Sequence, residues 1–442
     1  MNGSVRHRGR LGKALLVTAV VSMLVAACGS SSSSTPSSSP SGDIYTGSIP
    51  ANTTITVEVT SSPSDTALRA LAPQFTAATG IKVNFVEVPY TDVATKILLA
   101  SKEGTSQFDV VQFDSPMMAP LAAGHALANL GPPANASAAY DAADFSPQVQ
   151  NYAKYNGVSY SLPLSTEPYI LWYNTALFKK LHLQVPTTWA QYLANAKICH
   201  AAGYYGSDFG YGSAIGAAHW LQVLYSYGGE MWNSSYVPQF TSAQSVAATK
   251  MAMSLVPYTP KTAINGDGDE ADTAFNQGNV CQEVNATGYY SIMASPKSSK
   301  VYNDIGHALP PQANGAHATL LFGWLIGITR NSAHPAAAWK YLEWNLGRAN
   351  AANYVSQGAP PPARISSLGN PAIVKNLPYL PTQVAASKIA VQLPYIPEMN
   401  QIYTVLSNNL NNMATGRWSV QQGLQADNAA VTQIFKTSGR VS

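Results

Sequence analysis

Charge is scarce in this chain of 442 residues, of which only 11% are Asp, Glu, Lys or Arg. Four of its basic residues crowd into the first 13 positions, and the remainder balances 21 Lys and Arg against 22 Asp and Glu. A body so close to neutral has no basic footprint for nucleic acid and no polybasic patch for an anionic membrane. Cysteine is nearly absent. Cys28, Cys199 and Cys281 form no CxxC pair and no metal-ligand spacing, so no zinc site is expected. Neither Gly-x-Ser-x-Gly nor His-Glu-x-x-His occurs, and the eight histidines are scattered, which removes the recognisable esterase and metalloprotease classes. Gly210-x-Gly212 is followed by Gly216, one residue late for a dinucleotide loop, and no strand leads into it. Nothing motivates a paired-carboxylate glycosidase, so no enzyme and no cofactor is expected. Beyond the N-terminus no apolar run reaches transmembrane length.

What is present begins with an address. Arg6, Arg8, Arg10 and Lys13 precede Ala14–Ala27, a run that is apolar apart from Thr18 and Ser22 and ends in Leu-Val-Ala-Ala-Cys28. A basic region, a short apolar region and small residues before a cut define a secretory signal over residues 1–27. The residues around Cys28 resemble the bacterial lipobox, in which the cysteine is lipidated. Two acyl chains at roughly 0.8 kcal/mol per buried CH₂ hold a protein firmly where one does not. Gly29–Pro50 is rich in Ser, Pro and Gly with one charge, Asp43, and lacks the periodicity that could offset the entropy of folding. As a flexible coil it spans about 25 Å, a tether between anchor and body. With Cys28 lipidated, Cys199 and Cys281 remain. Outside the cytoplasm they form either a disulfide or two buried thiols.

The body opens with a period-2 strand, Thr54–Val59. Ser61–Asp65 then supplies helix-capping chemistry. Leu68, Leu71, Ala72, Phe75 and Ala78 mark one helical face, and Gly80 is placed as its stop. Ile81, Val83 and Phe85 alternate as a second strand, so the first 35 residues form a parallel βαβ unit. Phe108–Phe113 is a third strand, buried on both faces. A second α/β region follows: a strand at Ile170–Tyr173, a short helix at Asn174–Leu181, and a capping box from Thr188 to Gln191. Val280–Val284 and Leu320–Ile328 read as strands; Ala336–Leu346, Met399–Ala414 and Val420–Phe435 read as helices. Trp172 and Trp189 read as core. Asn265–Asp272 holds four acids without the glycine and glutamate spacing of a calcium loop, and reads as a helix start.

In order along the chain, several segments resemble one family. They are "TGIKVNF", "FDVVQFDSPMMAPLAAGHALANL" (108–130), "PLSTEPYILWYNTALFKKLHLQVPTTWAQYLANAK" (163–197), "AFNQGNVCQEVNATGYY" (274–290), "FGWLIGITRNSAHPAAAWKYLEWN" (322–345), an Ala-Pro-Pro-x-Arg turn and "GRWSVQQGLQADNAAV". The series is similar to the family-1 extracellular solute-binding proteins of ABC importers, the sugar-binding kind. That resemblance implies an α/β, two-lobed, type II periplasmic-binding-protein-like fold with three interlobe crossings. The N-terminal lobe would comprise 51–161 plus 325–359 and the C-terminal lobe 163–323 plus 361–442. It also implies capture of a neutral carbohydrate (a sugar or polyol) by hinge closure, delivery to membrane permeases, and a monomeric body on the outer face of the cell membrane. A signalling role, or a glycerol-phosphate-type ligand, is the alternative.

A sugar needs flat aromatics for its C–H faces and planar polar side chains for its hydroxyls. The resemblance therefore singles out Asp114, which could equally be a helix N-cap, and Glu167, just past a hinge. Trp324 matches the tryptophan of a Gly-Gly-Trp motif whose first glycine is here Phe322. One of Tyr289 and Tyr290 is expected to face ligand. Arg364 would meet ligand or make a structural interlobe bond. Trp220 and Trp232 would line a cleft wall or pack in the core, and Tyr395 is a weaker candidate.

Overall fold

The computed structural model describes residues 45–105, 107–212, 215–266, 269–313, 315, 317–360 and 364–441. The signal sequence, Cys28 and the tether as far as residue 44 lie outside the described residues. Tyr45, assigned above to the tether, already packs on the body, while residues 46–50 are exposed. Tyr45 is buried, its hydroxyl donates to the Asn129 carbonyl, and its ring meets Trp339 edge-on. One aromatic side chain with an apolar face to cover is enough to dock the end of an otherwise polar segment.

Among the described residues, and apart from a small hairpin of Lys154–Tyr155 with Val158–Ser159, the strands are β1 (Thr54–Val59), β2 (Lys82–Glu87), β3 (Val110–Asp114), β4 (Leu162–Pro163), β5 (Glu167–Asn174), β6 (Gln282–Ala286), β7 (Ile305–Ala308), β8 (Thr319–Phe322), β9 (Trp324–Ile328) and β10 (Ala390–Gln392). They form two sheets. The first runs β2-β1-β3-β9-β4, with β1 parallel to β2 and β3, and β9 antiparallel to β3 and β4. The second runs β10-β8-β5-β6, with β7 also pairing with β5.

The helix Pro63–Thr79 shows why the first sheet forms. Ser62 Oγ accepts from the Asp65 amide, and Gly80 ends the helix at φ 74°, a conformation costly for a residue with a Cβ. Its buried Leu68, Leu71 and Phe75 meet Ile55 and Val57 of β1 and Tyr341 and Leu342 of a later helix. Each such side chain contributes about 1.5–3 kcal/mol by leaving water. All five residues of β3 are buried, as its unbroken apolar run requires between two neighbours. In the second lobe the Thr188–Gln191 capping box is formed, and Trp189 is buried with its indole N–H donating to Ser226 Oγ. Helices occupy Pro335–Leu346, Met399–Ala414 and Val420–Thr437, close to their predicted limits. The acid-rich segment leads into a helix, Asp269–Asn276.

One prediction needs correction: Leu320–Ile328 is not one strand. It breaks at Gly323 into β8, which belongs to the second sheet, and β9, which belongs to the first. An apolar run carries no mark of which sheet its halves join. The chain also passes between sheets from β4 to β5 through Leu164–Thr166, so Pro163 still belongs to the first sheet. Arg364 bridges to Phe145 and is held by the first lobe, whereas Ile373 already packs with Trp172 and Phe275 of the second.

Cys199, late in the helix Trp189–Ala201, is bonded to Cys281, immediately before β6, with their Cα atoms 6.5 Å apart. The bond closes a loop of sequence separation 82, so it removes much of the freedom of the unfolded chain. Replacing both cysteines by serine is expected to lower unfolding free energy by about 2–4 kcal/mol. Denaturant melts of the double variant against the parent check this, with ligand affinity unchanged because neither residue lines the cleft.

Candidate functional site

At Gly323 the chain crosses from one sheet to the other, and a cleft opens where strands of both lobes end. On the first-lobe side lie Thr60 after β1, Val88–Thr91 after β2, and Asp114 at the end of β3. Loops beyond the carboxyl ends of strands are where open α/β sheets generally bind ligands. On the other side lie Tyr169 of β5, Ala286 and Tyr289 at the end of β6, Phe322 of β8, and Tyr403. This chamber has a volume of about 620 Å³. A second, of about 630 Å³, adjoins it and shares Ser61, Glu167, Tyr289 and Trp324. Its remaining lining is rich in hydroxyls, including Ser62, Thr66, Ser291, Ser295 and Ser298, with Lys297 exposed at the rim.

Strand register sets the central pair of acids. Trp324 is paired with Asp114 and Phe322 with Glu167, so the two carboxylates flank Gly323 from different sheets. Asp114 is both things the sequence allowed. Its Oδ1 accepts from the Ser115 amide at 2.6 Å, capping the turn that follows, while Oδ2 accepts from the Tyr90 hydroxyl at 3.0 Å inside the chamber. Glu167 Oε1 accepts from Ser165 Oγ at 2.5 Å, and Ser165 Oγ in turn accepts from the Trp324 amide. Gly288 sits where any Cβ would collide with the Glu167 carboxylate, so a side chain there would displace the acid. Burial pushes Asp114 from its ordinary 3.8 up to about 7, against the opposing pull of Tyr90 and Ser115. Burial likewise pushes Glu167 from 4.5 up to about 7, with the Asp114 charge adding to the rise.

Of the aromatic candidates, Trp324 and Tyr289 stand at the waist between the chambers, and Trp324 meets Tyr90 edge-on at 6.3 Å. Tyr290 points elsewhere, stacking on Trp172 and packing against Tyr379. Trp220 is a core residue and Trp232 is half-buried against the same core; neither lines a chamber. Trp220 is 2% exposed, donates to Thr249 Oγ1 and packs on Phe240, while Trp232 meets Phe435 edge-on. For Trp220 the reason is local: every residue of the helix Gly216–Ser226 is buried, so its aromatic side chains fill the lobe.

Arg364 is also a structural residue, and its bonds stay within the first lobe. It is fully buried, donates to the carbonyls of Leu346, Tyr140 and Asp141, reaches Asp144 Oδ2 at 3.4 Å, and lies over the Phe145 ring. Tyr395 donates to the Tyr152 carbonyl outside both linings.

Tyr90, Thr60, Ser61, Tyr169, Phe322 and Tyr403 line the first chamber without having been singled out from the sequence. Thr60, Ser61 and Tyr90 follow β1 and β2 directly, so the strand-end rule applied to Asp114 would have found them. Tyr169, in mid-strand, and Tyr403, on a distant helix, carried no such signal. Among the described residues no cluster of His, Cys, Asp and Glu could hold a metal ion.

Residues 59–352 match the model of the bacterial extracellular solute-binding proteins. The chain belongs to that family. The "Probable amino-acid ABC transporter periplasmic-binding protein y4oP" of Sinorhizobium fredii is 28% identical over 78% of this chain and 80% of its own length. The mannitol-binding protein of Pseudomonas aeruginosa is 25% identical over 70% of this chain and 77% of its own. Among solved structures, an ABC transporter solute-binding protein from Agrobacterium radiobacter in complex with ribitol superposes with a TM-score of 0.82. It is 22% identical and is matched over 87% of this chain and 99% of its own. The two-lobed fold is thus that of the solute-binding proteins.

For this solute-binding protein the raised acids have a calculable consequence. Between the ordinary carboxyl range and about pH 7 the folded state binds protons that the unfolded state has released. Stability therefore falls as pH rises through that window. Asp114→Asn keeps an acceptor for the Ser115 amide and removes the ionisation. Relative to the parent, the ligand-free variant is expected to gain stability from pH 4 upward, reaching on the order of a few kcal/mol by pH 8. Thermal melts across that range check the slope, and the variant's ligand binding should be weakened at every pH.

Proposed function

We propose that this protein is the extracellular capture subunit of an ABC importer whose ligand is a carbohydrate or polyol. The observation that carries the reading is the first chamber: six aromatic side chains around three carboxyl groups, those of Glu87, Asp114 and Glu167, with no Lys or Arg in its lining. Rings offer apolar area to the C–H faces of a sugar, and carboxylates accept from its hydroxyls. Carbohydrate-type relatives support it, since mannitol and ribitol are named in the relatives described above. An anionic ligand of the glycerol-phosphate type would find no cation in that chamber, and neither would the carboxylate of an amino acid.

The two lobes meet the ligand from different sheets, so a ligand touching both stabilises the closed arrangement and shifts the population toward it. Permeases would then read the closed surface. Calorimetry and small-angle scattering with a panel of mono-, di- and oligosaccharides and polyols test this. At least one member should bind and compact the protein, and Trp324→Ala should weaken that binding about tenfold or more while leaving the melt intact. A panel in which nothing binds and nothing compacts the chain would sink the reading.

The same reading includes export and a lipid anchor at Cys28, with a monomeric body on the outer membrane face. Among the described residues no helix is long and apolar enough to cross a membrane, so retention would rest on the acylated cysteine. Cys28→Ser is expected to move the protein from the membrane fraction to the medium and to abolish labelling by radioactive palmitate. Retention and labelling of the variant at the parent level would refute the anchor.

A further inference from the structure

The first chamber is electrostatically incomplete. Asp114 and Glu167 both face it and both are nearly sealed from solvent, at 8% and 6% exposure, yet neither forms an ion pair. Glu87, the third acid in the lining, does have a counter-ion, the Arg69 guanidinium at 3.4 Å. Every Lys and Arg from residue 45 onward is described, and none lines the first chamber; Lys297 alone reaches the second, at its exposed rim. His219, behind Tyr169, donates no charge, because burial pushes it down to about 4 and its Nδ1 accepts from the Gly210 amide. Arg364, for which the sequence left open a ligand contact or a structural bond, is consumed by carbonyls of the first lobe. Buried carboxylates are normally paired with a cation, and among the described residues these two have hydrogen-bond donors but no cationic partner.

The walls suit a cation as well as a sugar. Tyr90, Tyr169, Tyr289, Phe322, Trp324 and Tyr403 surround the space, and aromatic faces attract an ammonium most strongly where water is excluded. We infer that the ligand of the first chamber is a carbohydrate or polyol bearing one protonated amine, its ammonium seated against the Asp114 and Glu167 carboxylates within the aromatic walls. The remaining carboxylate oxygens and the hydroxyls of the second chamber are left for the sugar hydroxyls.

This inference rests on the carbohydrate reading and narrows it, and matched pairs separate the two. Glucamine differs from sorbitol only by an ammonium in place of a terminal hydroxyl. Glucosamine differs from glucose in the same way at one ring position, and N-acetylglucosamine keeps the nitrogen without the charge. Calorimetry on the purified protein at neutral pH should show at least one amine binding about tenfold or more tightly than both its hydroxyl and its acetylated counterparts. Asp114→Asn and Glu167→Gln should each shrink that ratio. The ratio is the informative quantity, because a folding defect lowers both affinities alike. Neutral members binding as tightly as their amines would overturn the amine and leave the carbohydrate reading standing. A ratio unmoved by both substitutions would overturn the proposed seat. If no member of any pair binds, the carbohydrate reading fails and the amine falls with it.

Discussion

One run of chain, Thr319–Ile328, is shared between two sheets, and the site exists because of how it is shared. Its first half pairs with Glu167–Pro168 and its second with Val110–Asp114. Between them Gly323 gives its carbonyl to the Ser115 amide and to the Tyr152 hydroxyl, and a Cβ there would meet the Ser165 carbonyl. The junction is therefore fixed by strand pairing on both sides, and it is one of the passages about which the two lobes can turn. Because the register pairs Phe322 with Glu167 and Trp324 with Asp114, two acids and two aromatic rings arrive at one place without any side chain selecting another.

The arrangement carries a thermodynamic strain of an ordinary kind. Burying two carboxyl groups near each other raises both, and the folded protein is less stable at neutral pH for holding them. Tyr90 and Ser165, which donate to Asp114 and Glu167, offset part of that cost and fix the carboxyl planes. What remains is a site poised to gain from any ligand that supplies donors or positive charge. Groups that depress stability and face a cleft are where binding energy is recovered.

Elsewhere the same elements are stabilised by interactions that leave no freedom. Arg364 ties Leu346, Tyr140 and Asp144 together under the Phe145 ring, and a disulfide joins the helix ending near Cys199 to the start of β6. Both lie within single lobes, so they stiffen each lobe without locking one to the other. That division suits hinge closure, in which rigid bodies move about a few passages.

The βαβ opening, the capping boxes, the helix limits and the strand-end position of Asp114 were legible in the sequence, because they depend on periodicity and on side chains bonding to backbone a few residues away. The carboxylate of Glu167 was also legible, as an acid with no solvated face to occupy. Tertiary structure decided what depends on partners distant in sequence. It divided Leu320–Ile328 between two sheets, sent Trp220 into the core with a wholly buried helix, laid Trp232 half-buried against that core, and turned Tyr290 away from the cleft while leaving Tyr289 at its waist. It withdrew Arg364 from the cleft, because carbonyls more than 200 residues upstream and others nearby satisfy its guanidinium in place of ligand. A side chain's type shows what it could bond; only the packed chain shows which of its possible partners is within reach.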